Sequence, residues 1–376
     1  MNSPDYTLTP EWMRVADAAA TPSPSLLVFP DRAEENLRRM ITLAGGPARL
    51  RPHVKTHKLP QLVAQQVALG VTKCKCATVA EAEMAARAGA IDVLLAVQPV
   101  GPNVARLLAL MRAFPAVSFS TVADDAGALA ALDAAAQAAG TVIEVLLDLD
   151  VGMGRTGVAP GPAAVALYRA LAAAPGLRAS GLHAYDGHLR HPVLAERSAA
   201  AADGIGRTVA LRTELEHLGL PVPRVVAGGT PTFPIHARRA DVECSPGTCV
   251  LWDAGYGGGL PDLDFLHAAV LFTRVISRSG ANRLCLDLGH KAVASEMPHP
   301  RVIFPALPDA RALAHSEEHL VLETARAAEF PVGAALFGLP WHICPTVALH
   351  DRVQIVRDGR VAEEWSVAAR ARRLIF

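Results

Sequence analysis

The sequence predicts an α/β chain, a (β/α)8 barrel of the TIM type followed by a mainly β C-terminal domain. Three observations carry that expectation. From about Ser25 to Asp253, short β-branched or apolar runs alternate with longer stretches rich in Ala, Leu, Arg and Glu. Such a rhythm marks parallel βαβ units, and eight or nine of them suit a closed barrel better than an open doubly wound sheet. No GxGxxG follows the first run, so the main mark of a dinucleotide-binding fold is missing. Beyond about Gly255 the runs continue without long helical stretches between them, as in a β domain.

The expected barrel spans residues 25–255, and residues 256–376, with 1–24, form the expected β domain. In chain order the apolar runs read as strands are Ser25–Phe29, Arg49–Lys55, Lys73–Thr78, Asp92–Val97, Val117–Val122, Val142–Asp150, Arg178–Tyr185 and Arg224–Gly228. The amphipathic stretches Asp31–Leu43, Leu59–Leu69, Val79–Ala88, Asn103–Ala113, Ala123–Ala139 and Leu194–Leu218 read as helices. In the second part, Ala268–Ser277, Arg283–Leu288, Leu320–Thr324, Val347–His350, Val353–Arg357 and Arg360–Val367 read as strands. Asp358-Gly359 between the last two is the dipeptide of a tight hairpin.

Composition narrows the function. The 376 residues carry 36 basic and 36 acidic side chains, a formal net charge of zero. A nucleic-acid binder or a polybasic membrane-surface protein would carry a basic surplus. No apolar stretch reaches the length of a membrane span, and Met1–Pro30 lacks the pattern of a secretory signal. The six cysteines, Cys74, Cys76, Cys244, Cys249, Cys285 and Cys344, show no disulfide spacing. The expectation is a cytoplasmic protein with reduced thiols.

In a barrel the reactive groups sit at the C-terminal ends of strands, so those ends are where chemistry is sought. The second expected strand ends in Arg51-Pro52-His53-Val54-Lys55-Thr56-His57-Lys58, and strand alternation would put His53, Lys55 and His57 on one face. Lys55 reads either as a rim lysine or as a desolvated amine able to form a Schiff base. Gly152-Met153-Gly154-Arg155-Thr156-Gly157 reads as a tight loop that holds a guanidinium over a site, or as a turn with a surface Arg. Gly228-Gly229-Thr230 and Ser245-Pro246-Gly247-Thr248, with Tyr256 behind the latter, offer backbone N–H groups to a phosphate late in the barrel.

Histidines add further candidates. His183, His188 and His191 cluster at and after the seventh expected strand, with neutral imidazoles suited to proton abstraction. In Trp341-His342-Ile343-Cys344-Pro345-Thr346, His342 and Cys344 share a face of an extended segment. They read either as two ligands of one divalent metal with open positions, or as a buried Cys near an interface His. Glu317-Glu318-His319 reads as a solvated polar turn or as a carboxylate–histidine pair that supports the ligands of a metal. Cys74 and Cys76 read as thiols of a buried strand.

Taken together, the Arg51–Lys58 segment, the Gly154–Gly157 loop, Gly228-Gly229-Thr230 and the closing His342–Thr346 run resemble the D-threonine aldolase and D-serine dehydratase family. These are pyridoxal-phosphate enzymes of the alanine racemase type (fold type III). The resemblance runs from about Thr21 to Ala369. It implies that Lys55 is the Schiff-base lysine of pyridoxal 5'-phosphate. Gly228, Gly229, Thr230, Gly247 and Thr248 would hold the phosphate, with Tyr256 alongside. Arg155 would face the ring phenolate, and Tyr185 would lie near the ring. His342 and Cys344 would bind a divalent metal (Mn, Mg or Zn). His191 stands where the aldolases carry their base, and His188 is the alternative.

Two departures matter. The aldolase branch often has Asp in place of Cys344, whereas dehydratase-like members use His and Cys; Cys249 stands where many relatives carry Tyr. By contrast Pro345–Asp351 and the Asp358-Gly359 hairpin resemble the aldolases. The expectation is a metal-dependent lyase that cleaves a small D-3-hydroxy-α-amino acid to glycine and an aldehyde, working as a homodimer. The alternatives are a D-serine or D-3-hydroxyaspartate dehydratase and a non-catalytic carrier of the cofactor.

Overall fold

A computed structural model of the chain describes residues 7–374. Strand β1 (Ser25–Val28) is followed by helix α1 (Pro30–Ala44), which opens on a proline and ends at Gly45 with φ +75°, the usual asymmetry of helix ends. The barrel then runs α2 (Pro60–Ala68), β2 (Lys73–Cys76), α3 (Val79–Arg87), β3 (Asp92–Leu95), α4 (Pro102–Ala113), β4 (Ser118–Ala123), α5 (Ala126–Ala138), β5 (Ile143–Leu149), α6 (Pro162–Ala173), β6 (Leu177–Ala184), α7 (Leu194–His217), β7 (Val225–Ala227), α8 (Phe233–His236) and β8 (Glu243–Cys244).

Strands β2 to β8 form one parallel seven-stranded sheet in sequence order. Inside it Leu94, Val122, Leu146 and Val226 make a buried layer. The eighth position holds no regular strand. Residues 50–53 run extended between β8 and β2, with bridges Leu50–Cys244 and His53–Lys75. The expected strand Arg49–Lys55 is thus corrected. Pro52 has no N–H to give, and Val54–Thr56 turn as a short 3-10 helix. The alternation of His53, Lys55 and His57 lapses with it.

The second part holds α9 (Ala254–Gly259), β9 (Ala269–Ser277), β10 (Arg283–Leu286), β11 (Val302–Ile303), β12 (Arg311–His315), β13 (Leu320–Glu323), β14 (Ala335–Pro340), α10 (Ile343–Leu349), β15 (Arg352–Arg357) and β16 (Arg360–Ser366). Its sheet has the order β12-β13-β10-β9-β1-β15-β16, with β14 also on β9 and β11 on β14. Asp358 and Gly359 turn the last hairpin with φ of +50° and +70°, as a type I' turn requires.

Two further expectations are corrected here. Strand Ser25–Phe29 belongs to this sheet, antiparallel to β9 and parallel to β15, and not to the barrel. Its residues are buried on both faces: Leu26 and Val28 toward the large core, Leu27 and Phe29 toward a smaller cluster with Phe272 and Phe337. The run Val347–His350 is the end of α10 and not a strand. Ile343 and Val347, one helical turn apart, are the buried pair that fixes it, and Pro345 falls in the first turn, where a missing N–H is tolerated. Among the described residues no helix is long and apolar enough to cross a membrane.

Candidate active site

The barrel mouth collects the motifs. Lys55 lies in the Val54–Thr56 turn, half-buried, and its backbone N–H donates to His53 Nδ1 at 3.3 Å. Lys58, at φ +54°, closes the turn and pairs with the fully buried Glu81. His57 is buried and accepts from Leu59 N at 3.1 Å, and desolvation pushes it down to about 3, so it is neutral. His53 is likewise held well below its ordinary value by burial and the nearby lysines.

Tyr185, at the end of β6, stands at the centre of three cations. Arg155 Cζ lies 4.8 Å from its ring centroid, Lys75 Nζ 5.4 Å and Lys55 Nζ 5.7 Å. The Arg155 loop is folded by Asp150, whose carboxylate accepts from Gly152 N at 2.9 Å and Gly154 N at 3.0 Å, and by Gly157 N, which donates to Asp124 at 2.6 Å. Below the ring, Asp148 accepts from Thr156 at 2.9 Å and pairs with His183 at 2.6 Å. Asp186 pairs with His236 at 2.7 Å and accepts from Thr232 at 2.6 Å. Among the described residues, His183 Nε2 and His236 Nδ1 find no hydrogen-bond partner.

Backbone N–H groups gather at the ends of β7 and β8. Gly247 N and Thr248 N both donate to Thr230 Oγ1 at 3.1 Å, and Gly229 N donates to Thr232 at 3.3 Å. Gly247 packs so closely that a Cβ would sit 3.0 Å from the His53 carbonyl oxygen and 3.2 Å from Thr56 Oγ1. At Gly228, φ is +77° and a Cβ would fall 2.5 Å from the His236 ring. Amide donors, three cations and an aromatic face form a site suited to a planar aromatic anion bearing a phosphate.

His342 and Cys344 join this mouth from the β sheet side. His342 caps α10 and Cys344 lies in its first turn, not on an extended segment as the sequence suggested. Cys344 Sγ lies 3.2 Å from Thr56 Oγ1 and 3.5 Å from Thr248 Oγ1, one residue from Lys55 and in the phosphate-type loop. Burial alone would push this thiol up, but the hydrogen bond and charge of His342 hold it below its ordinary value. His342 keeps its proton up to about 9, since Cys344 and Glu296 outweigh the desolvation. Its Nδ1 meets Glu296 at 2.5 Å. A histidine nitrogen and a cysteine sulfur side by side are a competent donor pair for a divalent ion. Among the described residues no group of three or more His, Cys, Asp or Glu is placed to hold a metal.

Beside them Arg190, Tyr256, Leu260, Met297, Trp341 and His342 line a cavity of about 180 Å³. Tyr256 lines this cavity, stacked on Trp252 at 5.8 Å with Arg190 over its ring. The remaining histidines part company. His183 is the buried partner of Asp148. His188 is exposed and rests on the Arg155 loop, where a Cβ on Gly152 would meet its Nε2 at 3.2 Å. His191 is exposed, its carbonyl held at 2.6 Å by Arg197, which is itself buried against Asp262. Among the described residues no hydrogen bond or ion pair joins His188 or His191 to Lys55, whose backbone N–H bonds to His53. Glu317, Glu318 and His319 form a solvated turn. Sequence reasoning missed Lys75, Asp186, His236 and Glu296. For Lys75 a signal existed: if Cys74 and Cys76 face the helices, alternation turns Lys75 inward.

This fold and mouth define a pyridoxal-phosphate enzyme of the alanine racemase type. The chain matches the family of the alanine racemase N-terminal domain over residues 28–253 and that of the serine dehydratase domain over residues 268–356. It belongs to the alanine racemase N-terminal domain family. D-threonine aldolase of Arthrobacter sp is 32% identical over 358 residues, covering 94% of this chain and 93% of the relative. The solved D-threonine aldolase from Filomicrobium marinum has a TM-score of 0.86 at 32% identity, covering 94% of this chain and 97% of that one. D-threo-3-hydroxyaspartate dehydratase from Delftia sp. HT23 superposes with a TM-score of 0.82 at 26% identity, covering 93% and 98%. A variant of that dehydratase is described in a metal-free form.

Proposed function

We propose that this chain is a D-threonine aldolase-like lyase that cleaves D-3-hydroxy-α-amino acids to glycine and an aldehyde, using pyridoxal phosphate and a divalent metal. One observation carries the reading. Cys344 is stitched to Thr56 and Thr248, so the lysine turn, the amide cluster and the His342–Cys344 pair meet at one place. Relatives bearing aldolase names span nearly the whole chain at comparable identity, which supports it.

Lys55 would hold the cofactor through its amine; Gly228, Gly229, Thr230, Gly247 and Thr248 would hold its phosphate, and Arg155 and Tyr185 would flank its ring. Pyridoxal phosphate supplies the electron sink for the bond that breaks at Cα, and the protein decides which bond that is. His342 and Cys344 would hold Mn, Mg or Zn, whose Lewis acidity lowers the pKa of a β-hydroxyl. Glu296, which meets His342 Nδ1, would orient the ring so that Nε2 could serve as the ligating nitrogen. His191 takes the β-hydroxyl proton from the mouth, with Arg197 anchoring its backbone. Arg190 and Tyr256 bound the cavity into which the Cβ substituent extends.

Dehydration is the second reading. The His–Cys pair, which the family resemblance gives to dehydratase-like members, favours it, and the D-threo-3-hydroxyaspartate dehydratase of Delftia is 28% identical over 376 residues. One product assay separates the two. D-threonine, D-serine and D-3-hydroxyaspartate are each incubated with the metal-loaded holoenzyme. Glycine with an aldehyde is expected, and EDTA should stop its formation while the visible band of the bound cofactor remains. Ammonia with a 2-oxo acid would instead establish the dehydratase. Light scattering tests the homodimer.

A further inference from the structure

Lys75 lies in β2, in the run Lys73-Cys74-Lys75-Cys76. Cys74 and Cys76 pack outward under the helices, so strand alternation sends Lys75 into the barrel. It is 2% exposed. Its backbone N–H donates to the Pro52 carbonyl at 2.8 Å, and its strand bridges His53. The side chain is therefore fixed directly beneath the turn that carries Lys55. Its ammonium faces the Tyr185 ring at 5.4 Å.

With Lys75 itself counted, the charges here do not balance. Lys55 and Arg155 bear on it from one sign, Asp148 and Asp186 from the other. Both carboxylates are already taken, Asp148 by His183 and Thr156, Asp186 by His236 and Thr232. Among the described residues no hydrogen bond or ion pair ends on the Lys75 ammonium. Desolvation, then the charge of Lys55, pushes this lysine down to about 7. A buried lysine without a partner is rare unless something else pairs with it.

We propose that Lys75 is a further binding residue of the site, its ammonium contacting an anionic oxygen of the aromatic cofactor seated against Tyr185. The proposal rests on the cofactor reading given above. Lys55 bonds the cofactor, whereas Lys75, deeper and on a rigid strand, contacts it by charge and hydrogen bond alone.

The test uses the apoenzyme and pyridoxine 5'-phosphate, which carries an alcohol in place of the aldehyde and so bonds to no amine. Its affinity is measured by calorimetry at pH 7 and pH 9 for wild type, Lys75→Met and Lys75→Arg. Lys75→Met should bind roughly 10- to 100-fold more weakly at pH 7, the loss of one charge-assisted contact. Lys75→Arg should recover most of that loss. Because the free lysine titrates near neutrality, wild type must take up a proton to bind at pH 9 and should weaken relative to pH 7. The arginine variant stays charged and should not share that extra weakening. Equal affinity in Lys75→Met, or the same pH dependence in Lys75→Arg and wild type, would overturn the proposal. If Lys75→Met does not fold, the Arg comparison still decides. If wild type binds neither pyridoxine 5'-phosphate nor pyridoxal phosphate, the cofactor reading itself fails.

Discussion

Glu296 and His342 lie 46 positions apart in the chain, yet their side chains meet at 2.5 Å. A metal-binding imidazole commonly gives its other nitrogen to such a carboxylate, and loss of the partner costs about 10- to 100-fold in metal affinity. Glu296→Ala should therefore weaken binding of Zn or Mn by that amount in a calorimetric titration, with the cofactor band unchanged. Undiminished affinity would make the contact incidental. The histidines of the loop after β6 give a second test at this scale. Removing a general base typically costs about 100- to 10,000-fold in rate. His191→Ala should lose most aldol cleavage but keep the visible band and the exchange of the glycine α-proton, which needs no hydroxyl base. Normal cleavage in His191→Ala with loss in His188→Ala would reverse the assignment. Legibility at this scale followed local chemistry. Lys55, Arg155, Tyr185 and the glycine loops announce themselves because each motif is contiguous. Glu296 sits between strands with no spacing rule to link it to His342, and Asp186 and His236 read as one more carboxylate and one more histidine.

Elements were legible where period and punctuation agreed. The expected stretch Leu194–Leu218 is α7, Leu194–His217, and the parallel strands β2 to β7 fall where the apolar runs are. The errors share one cause: a short apolar run does not say what it pairs with. Val347–His350 is β-branched at its start, but tertiary packing of Ile343 and Val347 wins. Arg49–Lys55 has the composition of a strand and the barrel position of one, yet Pro52 and the turn after it leave only two bridges. What holds this irregular segment is ionic. Arg51 is fully buried, with Asp92 at 2.7 Å and Glu243 at 2.7 Å, and Arg224 and Lys73 complete the cluster at the closed end of the barrel. Removing one member of a buried pair costs about 3 to 5 kcal/mol. Arg51→Met should lower stability to urea by roughly that much. The pH dependence follows. Burial would raise Asp92 and Glu243, but Arg51 holds both below their ordinary values. Their contribution is full above the unfolded carboxylate value of about 4 and is lost as pH falls through the lower folded values. Wild-type melting temperature should drop on acidification below about pH 4, and Arg51→Met should show a shallower drop. Parallel curves for the two proteins would contradict the ionic account.

At the scale of the whole molecule, β1 changes what the two parts are to each other. It comes from the N-terminal side of the barrel but lies between β9 and β15, and α1, which follows it, packs on the sheet and on the end of the barrel alike. The largest core runs through both: Leu26, Leu37 and Leu50 share it with Trp252, Leu271, Ile343 and Ile355. The site has the same construction, with Lys55 and Thr248 from the barrel and His342 and Cys344 from the helix after β14. A chain whose sheet is threaded by its own N-terminal strand cannot unfold the sheet and leave the barrel intact, because melting β9 strands β1 and uncovers α1. The expected outcome is a single cooperative transition. Hydrogen exchange followed by mass spectrometry in rising urea should give peptides from β5 and from β9 the same opening free energy, while loops at the mouth open earlier. Deleting residues through Phe29 should abolish the folded state rather than release a stable barrel, because it removes Leu26 and Val28 from the core and leaves the hydrogen-bonding edges of β9 and β15 bare. Two separate transitions, or a folded barrel after that deletion, would show that the parts are independent and that the site is assembled by docking instead of by one shared core.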